Sequence, residues 1–152
     1  MVRDEYDIIT QRLALRVWQP KDLAPFAEMN ADSEVMRFFP HPLSQLETEG
    51  FLDVIKRHFE QHGFGLLAVD ESSTGEFIGF IGLHTATFES PFAPCVEVGW
   101  RLRRSSWGKG YATEGATACL KLGFEKHGLE EICSFTSAIN LRSVDVMKRI
   151  GL

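Results

Sequence analysis

Val96-Glu97-Val98-Gly99-Trp100-Arg101-Leu102, followed by Arg103-Arg104-Ser105-Ser106 and then by Trp107-Gly108-Lys109-Gly110-Tyr111-Ala112-Thr113-Glu114, is the stretch that decides the fold. Its first part alternates apolar and polar residues as a strand does, its second is glycine-rich, and its third opens a helix. Helix N-termini present amide N–H groups without intrahelical acceptors and carry about half a positive charge, so they attract phosphate. Gly108 and Gly110 remove the Cβ atoms that would hold a ligand off the backbone. Lys109 places a positive charge between them. The construction suits a phosphate-bearing ligand, or else a plain glycine turn joining a strand to a helix.

Two familiar phosphate loops are excluded by spacing. A P-loop requires a glycine five residues before the Gly-Lys pair and a hydroxyl residue after it; here Gly110 takes the hydroxyl position. The dinucleotide fingerprint requires a third glycine at position 113, which is Thr, and a strand that opens a βαβ unit.

Outward from this stretch the chain reads as alternating elements. Ile8 to Val17 reads as one strand with Leu13, Leu15 and Val17 on one face. Pro20 suits the first turn of a helix reaching Met29, with Asp22 and Glu28 among its polar residues. Ser33 is placed to cap a short helical turn ended by Pro40 and Pro42. Ser44 and Glu47 form a capping box for a helix whose buried stripe is Phe51, Leu52, Ile55 and Phe59, and Gly63 stops it. Residues 65–69 and 77–85 read as strands, the second carrying Gly79 and Gly82 where another backbone comes close. A helix follows from Gly110 to Lys126, then a strand at 132–136 and a helix at 141–150 ending at Gly151. This order predicts an α/β mixed sheet, mostly antiparallel, with helices on both faces. The unit 95–136 supplies a parallel strand pair with a right-handed crossover.

Three segments in order carry a family resemblance across nearly the whole chain. The glycine loop at 107–112 resembles the acetyl-CoA pyrophosphate loop of the GNAT N-acetyltransferases, above all the Rim-type ribosomal-protein N-terminal acetyltransferases and their relatives. Thr10-Gln11-Arg12-Leu13-Ala14-Leu15-Arg16 is similar to that subgroup's first strand. Asn140-Leu141-Arg142-Ser143 with Met147-Lys148-Arg149-Ile150-Gly151 is similar to its Asn-x-x-Ser…Lys-x-Gly helix. Ser105 departs from the family's usual Gln or Arg, which leaves the backbone amides to dominate the loop.

The resemblance implies direct transfer of acetyl from acetyl-CoA to a primary amine, a protein N-terminus or a small molecule, without a metal. It implies that the parallel strands splay apart and that the cofactor's pantetheine arm pairs with the backbones of Trp100 and Leu102. The amides from Trp107 through Gly108, Lys109, Gly110, Tyr111 and Ala112 would hold the pyrophosphate, and Asn140 the pantetheine amides. Asn140 also reads as the N-cap of the last helix. Ser143 would lie near the sulfur, or be an ordinary first-turn serine. The amine must lose a proton: at pH 7 this costs about 1.4 kcal/mol for an α-amino group and about 4.6 for a lysine. Glu97, on the strand face opposite Val96, Val98 and Trp100, is the candidate base. The alternative is a solvated carboxylate in a cross-strand pair. His84 is the rival proton relay. Phe38 and Phe39 are candidates for the amine pocket, and Arg103 and Arg104 for the cofactor's 3′-phosphate.

Composition sets the outer bounds. The chain has 152 residues, 44% hydrophobic and 24% charged, consistent with one cytoplasmic domain. The net charge of −5 argues against a nucleic-acid binder. No apolar run has the length of a membrane span, and the N-terminus lacks a signal peptide's apolar core. Cys95, Cys119 and Cys133 are widely spaced and read as structural thiols. His58 and His62 read as lying on the solvated side of a helix end. A second function class stays open: an acyl-CoA-binding module that has lost turnover. The resemblance also implies two further strands after the final helix. Residues 1–152 therefore read as one C-terminally incomplete domain, with an open edge at 132–136 suited to pairing with a second copy as a homodimer.

Overall fold

The computed structural model describes residues 6–86, 95–134 and 140–151. Its six-stranded sheet runs β1 (Tyr6–Ile9), β2 (Leu13–Arg16), β3 (Leu66–Glu71), β4 (Phe77–Ala86), β5 (Cys95–Leu102) and β6 (Ile132–Cys133), each beside the next. The first four pairings are antiparallel and the last is parallel. Helices α1 (Leu23–Ala31) and α2 (Gln45–His62) lie between β2 and β3, α3 (Tyr111–Glu125) between β5 and β6, and α4 (Leu141–Arg149) after β6. Side-chain alternation gives each sheet face its own core. Leu13, Leu15, Leu67, Val69, Ile81, Leu83 and Val98 pack with Tyr111, Ala116 and Cys119 of α3. Leu66, Ala68 and Phe80 pack on the other face with Phe26, Met29, Leu52 and Ile55 of α1 and α2. The mixed, mostly antiparallel sheet and its two helical layers are as the sequence predicts.

Local chemistry explains the boundaries. The Ser44–Glu47 capping box forms reciprocally at 3.1 and 2.9 Å, and Gly63 closes α2 at φ +75°. At Gly79, a Cβ would collide with the Arg101 carbonyl, and at Gly82 with that of Gly65. Both glycines therefore permit the close approach expected of them.

Three expectations need correction. The strand from Ile8 to Val17 is two strands joined by a turn at 10–12, where Thr10 Oγ1 accepts the Leu13 N–H at 3.1 Å, and Val17 is exposed. The segment after α1 is a series of turns in which Asp32, not Ser33, caps Glu34 N–H at 2.9 Å. Asp22, a polar residue at the start of the first helix as expected, is fully buried: with Asp70 it grips the buried Arg16 through four bonds of 2.7–2.9 Å. His58 is buried, not solvated. The strand at 132–136 is described only as far as β6, its remainder lying outside the described residues, and β6 pairs with β5 alone among them.

Candidate active site

The helix start is built without a side-chain cap. Gly108 and Gly110 both adopt left-handed φ values, +74° and +82°, which glycine holds at no steric cost. The first α3 bond runs from Glu114 N–H to the Gly110 carbonyl, so the amides of Tyr111, Ala112 and Thr113 have no acceptor within the helix. A Cβ placed on Gly108 would meet open space. The β1–β2 turn clamps this loop. Glu114 accepts from Thr10 Oγ1 at 2.5 Å, Arg12 N at 2.8 Å and Arg12 Nε at 2.7 Å. Arg12 then donates to the Lys109 carbonyl at 2.8 Å and lies over the Tyr111 ring. The partners are about a hundred residues apart, so no local pattern could have indicated the clamp.

The parallel pair supplies the second feature. β5 and β6 match only at Val96–Ile132 and Glu97–Cys133. Val96 and Val98 turn their carbonyls toward β6, where Cys133 Sγ and Ser134 Oγ donate to them. Strand alternation points the N–H and C=O of Trp100 to that same edge. Leu102 continues the series, but its carbonyl accepts the Trp107 indole N–H at 2.9 Å. Asn140 Oδ1 caps α4 by accepting Ser143 N–H at 3.3 Å, and Ser143 Oγ accepts the Trp100 indole N–H at 3.3 Å.

One cavity of about 770 Å³ joins these features. Glu97, Trp100, Leu102, Trp107, Gly108, Gly110, Tyr111, Ala112, Asn140 and Ser143 all line it, as do His84, Phe38 and Phe39. Lys109 does not: it is exposed and only its carbonyl is engaged, by Arg12. Arg103 and Arg104 also lie elsewhere, paired with Glu76 at 3.1 Å and Asp32 at 3.4 Å. Ser105 lines the same outer cleft as these two arginines.

Glu97 sits at the cavity's inner end. It is half-buried, and burial raises its carboxyl above the usual carboxylate range. No ion pair engages it among the described residues, so the solvated cross-strand pair with arginine does not form. Its antiparallel neighbour is His84, and its parallel neighbour is Cys133, whose thiol burial pushes up to about 12. His84 stacks on His58 at 4.5 Å, and His58 on His62 at 4.4 Å. Thr85 N–H donates to His58 Nε2 at 2.9 Å, so the His58 proton sits on Nδ1 and is given to the Phe64 carbonyl at 2.9 Å. Desolvation lowers both His58, to about 4, and His84. Both rings are held neutral beside the carboxyl.

This glycine loop, parallel strand pair and α4 cap agree with a sequence match to the acetyltransferase (GNAT) domain over residues 12–152. The chain belongs to the GNAT acetyltransferase family. An acetyltransferase structure from Agrobacterium tumefaciens is 31% identical, with a TM-score of 0.83 over 95% of this chain and 81% of that one. The uncharacterized N-acetyltransferase YnaD of Bacillus subtilis is 29% identical over 95% of this chain and 81% of its own. A RimL ribosomal α-N-protein acetyltransferase in complex with coenzyme A shares the fold, with a TM-score of 0.76 at 17% identity over 97% of this chain and 83% of that one. Among the described residues of this GNAT domain, no helix is long and apolar enough to cross a membrane, and no cluster of acidic, His and Cys side chains could hold a metal ion.

Proposed function

We propose that this GNAT domain transfers the acetyl group of acetyl-CoA to a primary amine by direct attack. The carrying observation is that one cavity gathers the uncapped α3 amides, the β5 residues Trp100 and Leu102, Glu97, and the Asn140–Ser143 turn. These groups fit the cofactor. A pyrophosphate needs unpaired donors at a bare backbone, which Tyr111, Ala112 and Thr113 offer beside Gly108 and Gly110. An amide-bearing arm needs an open strand edge, and among the described residues no strand pairs with β5 on the β6 side at Trp100. Leu102 contributes less than its strand parity suggests, because Trp107 occupies its carbonyl.

When bound, acetyl-CoA supplies an activated thioester whose carbonyl carbon an amine nitrogen can attack. Glu97 takes the ammonium proton, directly or through one water, and its raised pKa brings it nearer the amine it must deprotonate. Ser143 receives the Trp100 N–H on its oxygen, so its own proton is available to a departing thiolate. His84 stands beside Glu97 in the ladder, neutral and able to pass the proton outward. Tyr111 plays no acid role: its hydroxyl donates to Glu71 at 2.6 Å.

Thiol release from acetyl-CoA over a panel of amines, small and peptidic, tests the reading. Turnover with one class and none without amine supports it. Tight acetyl-CoA binding with no thiol release from any amine would instead assign the chain to non-catalytic acyl-CoA binders.

A further inference from the structure

Among the described residues, Arg16 is fully buried and Arg101 is half-buried among aromatic rings, and the two charges are treated differently. Arg16 is satisfied by two buried carboxylates, Asp22 and Asp70. Arg101 has none. Its guanidinium lies 4.7 Å from the ring centre of Phe39, 5.1 Å from that of Phe80 and 5.4 Å from that of Phe51. Its one side-chain hydrogen bond among the described residues runs from Nη1 to Asn30 Oδ1 at 2.8 Å, and its Nε is buried without a partner. Asn30 is itself fully buried and held by Thr48, so the anchor is rigid. Desolvation lowers Arg101 only to about 10, which leaves it charged at neutral pH. The aromatic faces offset part of the lost hydration but supply no hydrogen-bond acceptor.

Position gives this charge a purpose. Arg101 lines the same cavity as Glu97 and projects from the same face of β5 four residues on. Gly99 lies between them, and a Cβ there would meet open space. The strand therefore forms a bare slot with a proton acceptor at one end and an unpaired guanidinium at the other, the two Cα atoms about 13 Å apart at strand rise. Glu34, Arg37, Arg142, Asp145 and Arg149 are the other charged groups lining the cavity, and neither carboxylate among them forms an ion pair with Arg101.

Resting on the acetyl-transfer reading of the cavity, we propose that Arg101 anchors a carboxylate carried by the acceptor, so that the substrate is a small amino acid rather than a neutral or cationic amine. A guanidinium with Nη1 already tied to Asn30 still offers its remaining donors to an acid, and such charge-assisted bonds discriminate sharply against an uncharged isostere. The anchored acid holds the amine over Gly99, directed at Glu97.

The test is a matched panel: L-amino acids and ω-amino acids of increasing length, each beside its carboxamide, assayed by thiol release from acetyl-CoA. Wild type is expected to favour the best acid over its carboxamide by about 10- to 100-fold in kcat/KM. Arg101→Gln is expected to bring that ratio toward one through KM, and Arg101→Lys to restore part of it. Equal use of acid and carboxamide by wild type overturns the proposal, as does a ratio unchanged in Arg101→Gln. Absence of turnover with every amine counts against the transferase reading alone. Calorimetry of the same amino acids with the CoA-bound protein then decides: binding that requires both the carboxylate and Arg101 upholds the anchor, and binding indifferent to either refutes it. Retained CoA affinity in Arg101→Gln establishes that the variant is folded.

Discussion

Lowering the pH should destabilise this protein chiefly through one buried imidazole, that of His58. His58 lies under the sheet with its Nε2 accepting the Thr85 amide, so a second proton can enter only by breaking that bond. Desolvation first, and then the neighbouring His84, brings its pKa from 6.5 to about 4. The unfolded chain therefore binds more protons than the folded one between these values, and stability must rise with pH across the window. The contribution is fully present above pH 6.5 and is lost as the pH falls toward 4. At 1.36 kcal/mol per pKa unit the whole span corresponds to about 3 kcal/mol, of which about 2 kcal/mol is lost between pH 7.5 and 5. His84, lowered for the same reason, adds in the same direction.

Urea unfolding at a series of pH values reads this directly. His58→Gln should be less stable at pH 7.5, because it loses bonds to Phe64 and Thr85, yet its stability should fall by about 2 kcal/mol less on going to pH 5. His62→Gln, at an exposed position 4.4 Å from the His58 ring, removes only a minor cause of the lowered His58 pKa and should change the slope far less than His58→Gln does. A wild-type stability that is flat from pH 7.5 to 5, or an undiminished slope in His58→Gln, would refute the reasoning. Should the variant not fold, NMR titration of the wild-type imidazoles tests the same claim, since His58 must stay neutral at pH 5.

Glu97→Gln should leave the Kd for CoA unchanged by calorimetry while lowering kcat by about 100-fold or more, and the acidic limb of the wild-type pH–rate profile should vanish with it. Gly110→Val places a β-branched residue at φ +82°, which should cost well over 1 kcal/mol of stability and weaken CoA binding at least 10-fold. Ser143→Ala should reduce kcat with CoA affinity retained; equal kcat values would remove the hydroxyl from the mechanism. Arg16→Met should cost about 3–5 kcal/mol in urea unfolding, because Asp22 and Asp70 would be left buried without a counter-charge.

Sequence periodicity and turn chemistry are local signals, and what they govern was readable. The Ser44–Glu47 box, the αL glycines at 63 and 151, and the alternation that puts Glu97 opposite Val98 each depend on residues within a few positions of one another. The turn that divides residues 8–17 was missed because it is fixed from outside, by the Glu114 carboxylate binding Thr10 and Arg12. The Lys109 charge marks the loop in sequence, but that Arg12 holds the Lys109 carbonyl depends on a residue from the distant β1–β2 turn.

Strand register explains why the site residues divided as they did. Alternation names the face on which Glu97 lies but not its neighbours, which depend on the β4–β5 and β5–β6 registers. Those registers put His84 on one side and Cys133 on the other. The same ladder sets Phe80 beside Arg101 and Gly82 beside Gly99. A one-residue slip would turn Glu97 and Arg101 into the α3 core, where neither charge has a partner. Gly79 and Gly82 resist such a slip, since each sits where a neighbouring backbone leaves no room for a Cβ. Two glycines that look like weaknesses in β4 thus keep Glu97 and Arg101 on one side of the sheet.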